Sequence, residues 1–209
     1  MAGGSRAMRR SSVLGRMSLR DGVSLVATTI VLLAARSSLA DHYQVPSGSM
    51  LPTVHLHDRI LVDKSAYGLR VPFTRTYLTG QGPERGDVVV LTSPEDGKVL
   101  LKRVIAVPGD NVTVEGGRLV LNGQRMPVTY EAGTTVEQID QRKHPLSLVP
   151  NGGPDFGPRL VPANQYLVMG DNRGDSHDGR YFGWVSRDEI LGRAARVYWR
   201  DGAFAWIEL

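Results

Sequence analysis

Apolar positions along this chain form one long run near the start and a series of short runs after it. The long run is Val23 to Ala35, thirteen residues without a charge, preceded by Asp21 and Gly22 and followed by Arg36, Ser37, Ser38, Leu39 and Ala40. Beyond residue 41 the runs are brief and punctuated by Gly, Pro and Asp. Residues 59–64 (RILVDK), 87–91 (DVVVL) and 99–107 (VLLKRVIAV) predict buried strands, because they are rich in Val, Ile and Leu and bounded by turn residues. Residues 112–115 and 118–122 flank Gly116-Gly117, a two-residue hairpin signal. Residues 165–169 and 193–199 predict two more strands, and Ser186 with Glu189 three positions on predicts a capping box for one short helical turn. Residues 123–164, with six prolines and little periodicity, read as an insertion or a small polar lobe. The expected fold is mainly β: an antiparallel sheet body behind a single N-terminal helix.

The long run sets the organisation of the chain. Thirteen residues fall short of the roughly 20 that span a bilayer, but residues 22–40, with Arg36 snorkelling to the interface, make one workable transmembrane anchor. Five arginines and no acid lie within residues 1–20, so the positive-inside rule puts the N-terminus in the cytoplasm and everything after Ala40 outside. A cleaved secretory signal competes with the anchor, since Ser38-Leu39-Ala40 is a small-x-small site, and Arg9-Arg10 also admits a twin-arginine signal. Both readings export the body. The expected division is a cytoplasmic basic tail over 1–21, an anchor over 22–40 in contact with membrane lipid, and an extracytoplasmic domain over 41–209.

Composition narrows the functional classes. The 209 residues suit one core and perhaps a small lobe. Net charge is +4, but the five arginines of the tail leave residues 21–209 at −1, so no domain-wide basic face supports nucleic-acid binding. Gly 24 and Pro 12 favour many turns and short strands. The absence of cysteine excludes disulfides, thiolate metal sites and Cys nucleophiles together.

Four clusters carry candidate chemistry. Val45-Pro46-Ser47-Gly48-Ser49-Met50-Leu51-Pro52-Thr53 sets two serines around a glycine between stiffening prolines; it is either an ordinary turn or a rigid loop presenting a serine beside an apolar cleft. Lys102 sits within an apolar strand, sharing a face with Leu100, Val104 and Ala106, where burial would lower its pKa and free a neutral amine to act as base; the plainer alternative is a lysine paired with a carboxylate. Residues 170–180 (GDNRGDSHDGR) resemble a solvated loop, with Arg173 blocking a calcium-loop reading and with no Gly-x-Ser-x-Gly elbow to make Ser176 a nucleophile. His55-Leu56-His57-Asp58 hints at a metal site but lacks a third ligand, and Asn111-Val112-Thr113 matches a glycosylation sequon that recurs by chance.

In this order the segments resemble the type I signal peptidases, the bacterial serine-lysine leader peptidases. The likeness rests on the anchor ending near Arg36, on residues 46–53, on residues 58–68 (DRILVDKSAYG), on residues 85–110 with Lys102-Arg103 and Pro108-Gly109-Asp110, and on residues 170–183 (GDNRGDSHDGRYFG). The resemblance implies Ser49 as nucleophile and Lys102 as general base, with the Ser47 hydroxyl and the Ser49 N–H as oxyanion hole. It further implies that Ser176 hydrogen-bonds and orients the Lys102 amine, that Asp178 and Arg180 brace the loop as an ion pair, and that Arg103 supports the site. Val45, Met50, Val54 and Leu101 would line shallow subsites for small side chains. The implied reaction removes signal peptides from exported preproteins and needs no cofactor or metal. The rivals are a maturation peptidase dedicated to one precursor of a conjugation or secretion system, and an exported non-catalytic β-rich assembly protein.

Overall fold

The computed structural model describes residues 19–68, 74, 77 and 80–209; the tail over residues 1–18 lies outside the described residues. Helix α1 (Leu19–Leu39) runs without a loop into β1 (Ala40–Gln44), followed by β2 (Arg59–Asp63), β3 (Val88–Thr92), β4 (Val99–Ala106), β5 (Asn111–Glu115), β6 (Arg118–Leu121), β7 (Gln124–Arg125) and β8 (Val128–Glu131). Then come β9 (Thr134–Ile139), β10 (Arg142–Leu146), β11 (Phe156–Leu160), β12 (Gln165–Met169), the one-turn helix α2 (Gly179–Phe182), β13 (Val185–Ser186), β14 (Ile190–Arg200) and β15 (Ala203–Glu208).

The main sheet is ordered β1-β2-β14-β3-β4-β12-β13, with β15 attached to β14. Every residue of β3 is buried because both faces of the sheet are covered. Val88 and Val90 join Ile60, Val62, Ala194 and Val197 on one side. Val89 and Leu91 join Val104, Val168, Ile190 and Tyr67 on the other. A third core forms around Ile105, Val112, Val114, Leu119, Ile139 and Met169, where the β5–β6 hairpin packs. Gly116 (φ 54°) and Gly117 (φ 78°) both take positive φ at the tip of that hairpin, as its two-residue connection requires. The Glu189 carboxylate accepts from the Ser186 N–H at 2.7 Å, closing the capping box that opens the turn before β14.

Residues 123–164 carry strands that periodicity does not reveal. β8, β9 and β10 make a three-stranded sheet, while β11 adds to β5 in a four-stranded one, order β11-β5-β6-β7. The segment is not merely polar: it buries Ile139, Leu146 and Phe156, and with them Glu137 and His144. Pro145 within β10 and Pro158 within β11, flanked by charges, mask the alternation.

The 21 residues of α1 measure about 31 Å at 1.5 Å per residue. Its Val23, Leu25, Val26 and Ile30 side chains are exposed, and Thr29 turns its hydroxyl back onto the Leu25 carbonyl at 2.8 Å. Among the described residues no helix is long and apolar enough to cross a membrane.

Candidate active site

The loop after β1 is closed at its base by backbone bonds between Val45 and the 57–58 turn: Val45 N–H to Asp58 O at 2.9 Å and His57 N–H to Val45 O at 2.8 Å. Asp58 is buried and accepts from Arg200 at 2.6 and 3.0 Å, which ties the base of the loop to the end of β14. Met50 and Val54 plug the loop into the core. Ser47 and Ser49 stay on its outer side, Ser47 exposed and Ser49 half-buried, with their hydroxyl oxygens 3.4 Å apart.

β4 brings Lys102 to this loop. Its Nζ lies 2.7 Å from Ser49 Oγ and the side chain is 3% exposed. Burial pushes the amine down to about 8, against the Asp178 and Asp171 carboxylates, which favour the charged form, and with Arg180 adding to the fall. A neutral lysine amine hydrogen-bonded to a serine hydroxyl is a base poised to take that proton.

Residues 170–180 form a buried platform beneath the serine loop, not the solvated loop that their composition alone admits. Asp171, Arg173 and Asp178 are fully buried. Arg103 clamps Asp171 through two bonds of 2.8 and 2.7 Å, and Thr53 donates its hydroxyl to the same carboxylate at 2.5 Å. Burial pushes the Asp171 carboxyl up, but the Arg103 charge and hydrogen bonds outweigh it and hold the group below the usual carboxylate range. Asp178 pairs with Arg180 at 2.8 and 2.9 Å and accepts the Gly170 N–H at 3.0 Å. Arg180 also donates to the carbonyls of Gly152 and Arg173. Gly170 is required by close approach, since a Cβ there would stand 2.3 Å from both Ser49 O and Ser176 Oγ.

Two expected contacts differ. Ser176 does not hydrogen-bond Lys102: its hydroxyl is buried without a partner among the described residues, while the amine is directed at Ser49. Val45 and Leu101 border an apolar groove of about 170 Å³, together with Tyr43, Pro46, Ile60 and Val99, but Met50 and Val54 are 1% and 0% exposed and lie in the core beneath it. Of the four residues expected to line subsites, the structure thus places Val45 and Leu101 at the groove and Met50 and Val54 away from it. The residues that the sequence reading passed over are Thr53, Asp171, Asn172, Arg173, Glu137 and His144. Asn172 reaches Gly48 O and Ser49 O, and Arg173 pairs with Glu137 while His144 Nε2 stands 3.3 Å from Glu137 Oε2. The hinted metal site gains nothing: among the described residues no three His, Asp or Glu side chains converge to hold an ion.

The antiparallel sheet body thus brings a serine hydroxyl and a buried lysine amine into direct contact at one site. The family model for signal peptidase, peptidase S26, matches residues 19–199. The chain is 33% identical to the signal peptidase I of Leptolyngbya laminosa, over 87% of this chain and 80% of that one. It is 35% identical to the signal peptidase I of Pseudomonas aeruginosa, over 86% and 72%. A crystal structure of a signal peptidase I from Enterococcus faecalis is 30% identical, covering 54% of this chain and 97% of its own, with a TM-score of 0.41. The chain belongs to the signal peptidase family, peptidase S26, whose activity is that of a serine endopeptidase.

Proposed function

We propose that this peptidase removes N-terminal signal peptides from exported preproteins after small-x-small sites, using Ser49 as nucleophile and Lys102 as general base. The observation that carries this is the 2.7 Å contact between Lys102 Nζ and Ser49 Oγ, with the amine buried. The neutral amine takes the Ser49 proton as Oγ attacks the scissile carbonyl, and the resulting ammonium returns a proton to the leaving amine. Negative charge develops on the former carbonyl oxygen during that attack, before the C–N bond breaks and the protonated amine leaves, and water deprotonated by the same lysine then hydrolyses the acyl-serine. The Ser49 N–H, which donates to no protein acceptor among the described residues, and the neighbouring Ser47 hydroxyl supply donors for that charge. Asp171–Arg103 and Asp178–Arg180 hold the platform under the dyad. The groove between Tyr43–Pro46 and Val99–Leu101 is apolar and small, which suits short side chains before the cut.

The anchor reading is supported by the exposed apolar side chains of α1 and by its direct continuation into β1. In this arrangement the basic tail stays in the cytoplasm, α1 lies in the inner membrane, and the sheet body stands outside with Ser49 ten residues beyond the helix end at Leu39.

The test is cleavage of a preprotein bearing an Ala-x-Ala site by detergent-purified enzyme. Wild type cuts at that bond, and Ser49→Ala and Lys102→Met each lose roughly 10⁴-fold or more in kcat while their circular dichroism is unchanged. Cleavage at a comparable rate by either variant overturns the dyad.

A further inference from the structure

Asn172 touches the serine loop twice. Its Nδ2 donates to Gly48 O at 3.1 Å, and its backbone N–H donates to Ser49 O at 3.1 Å. Because a carbonyl only accepts, the amide nitrogen and not the amide oxygen must face Gly48. Asn172 is itself held on either side. Asp171 is clamped by Arg103 and Thr53, and the Arg173 N–H donates to Ser147 O at 2.8 Å.

The Gly48 carbonyl and the Ser49 N–H belong to one planar peptide, which is trans, and they point in opposite directions. Whatever fixes Gly48 O therefore aims the Ser49 N–H. Gly48 O also accepts the Leu51 N–H at 3.0 Å, but that bond lies within the loop and moves with it. The Asn172 bond instead refers the peptide plane to the buried platform. We propose that Asn172 is a positioning residue for oxyanion stabilisation: it sets the direction of the Ser49 N–H without touching substrate or Lys102. This rests on Ser49 being the nucleophile.

The experiment compares Asn172→Ala, Asn172→Asp, Ser47→Ala, the Ser47→Ala/Asn172→Ala double variant and Ser49→Ala, by kcat and KM on the same preprotein across pH 6 to 10. For Asn172→Ala, kcat falls about 10- to 100-fold, below the 10²- to 10³-fold typical of deleting an oxyanion donor outright. KM stays within about twofold and the pH midpoint is unmoved. Asn172→Asp is nearly isosteric but cannot donate while ionised, so it loses as much; it also carries the test if the alanine variant folds poorly. The double variant loses less than the product of the two single losses, because both act on one charge. Wild-type kcat in Asn172→Asp, or a loss confined to KM, overturns the inference. If Ser49→Ala still cleaves, the nucleophile assignment falls and the inference falls with it. If Ser49→Ala is inactive while both Asn172 variants turn over normally, only the role of Asn172 is overturned.

Discussion

At Lys102 two effects oppose each other, and the outcome sets the working pH. Burial disfavours the ammonium, the two buried aspartates favour it, and burial wins, leaving the group at about 8 rather than 10.5. The neutral amine is the active form, so kcat/KM should climb as pH rises from 6, with a midpoint near 8 and a plateau above about 9. A profile flat over that range would exclude a lysine base. The sign for stability follows from the same shift. Between the folded value near 8 and the unfolded value of 10.5 the unfolded chain binds more protons, so this group adds stability as pH rises through that window. At pH 7 the buried ammonium is a cost, and Lys102→Met should be no less stable than wild type, by up to about 3 kcal/mol the more stable. Alternation singled out Lys102 as a lone cation on an apolar face but left open whether it was a base or a lysine paired with a carboxylate. Asp171 and Asn172 were not legible, because a run of charges reads as a solvated loop until the partners that bury it, Arg103 on β4 and Thr53 in the serine loop, are brought alongside.

The β9–β10 hairpin is the element whose contribution local sequence conceals most. It sends Glu137 inward to meet Arg173, with His144 beside them, and all three are buried. Burial pushes the Glu137 carboxyl up, but Arg173 outweighs it and keeps the group below its ordinary range. On the hairpin's rim Arg142 reaches Asp87 and, at 2.8 Å, Glu84, while Pro145 O lies 3.3 Å from Thr53 Oγ1. Glu137→Ala would strand the Arg173 guanidinium in the core, a loss of about 3 to 5 kcal/mol. For a body of this size that lowers Tm by roughly 6 to 20 °C in thermal denaturation. An unchanged Tm would mean the pair contributes nothing. Strands β2, β3, β4, β12 and β14 of the main sheet could be read from their apolar runs, whereas β1, β13 and β15 could not; β10, written Arg-Lys-His-Pro-Leu, buries only His144 and Leu146 and leaves too few apolar positions to betray a period.

Over the whole molecule, none of the three core clusters formed by the described residues includes a residue of α1. A chain lacking residues 1–39 should therefore fold and cleave a short signal-sequence peptide in detergent within a few-fold of the full chain, yet leave the membrane fraction after cell lysis. Retention in that fraction would mean that the body, and not α1, holds the enzyme to the bilayer. The class of the body followed from its short punctuated runs. The sheet order did not, since β14 inserts between β2 and β3, strands that the chain left behind at Asp63 and Thr92 before reaching Ile190.

That insertion has a temporal consequence. The serine loop is finished only when Asn172 reaches back 124 positions to Gly48 and Arg200 reaches back 142 to Asp58, so the contacts that complete the site are among the most distant in the chain. Such contacts form late and slowly during folding. With the tail held in the cytoplasm and the chain crossing from residue 40 onward, as proposed, the serine and the lysine would emerge long before the segments that set their geometry. On the proposed topology, cleavage would begin only once the last strand has joined the sheet, so activity would start with the completion of the chain's own export.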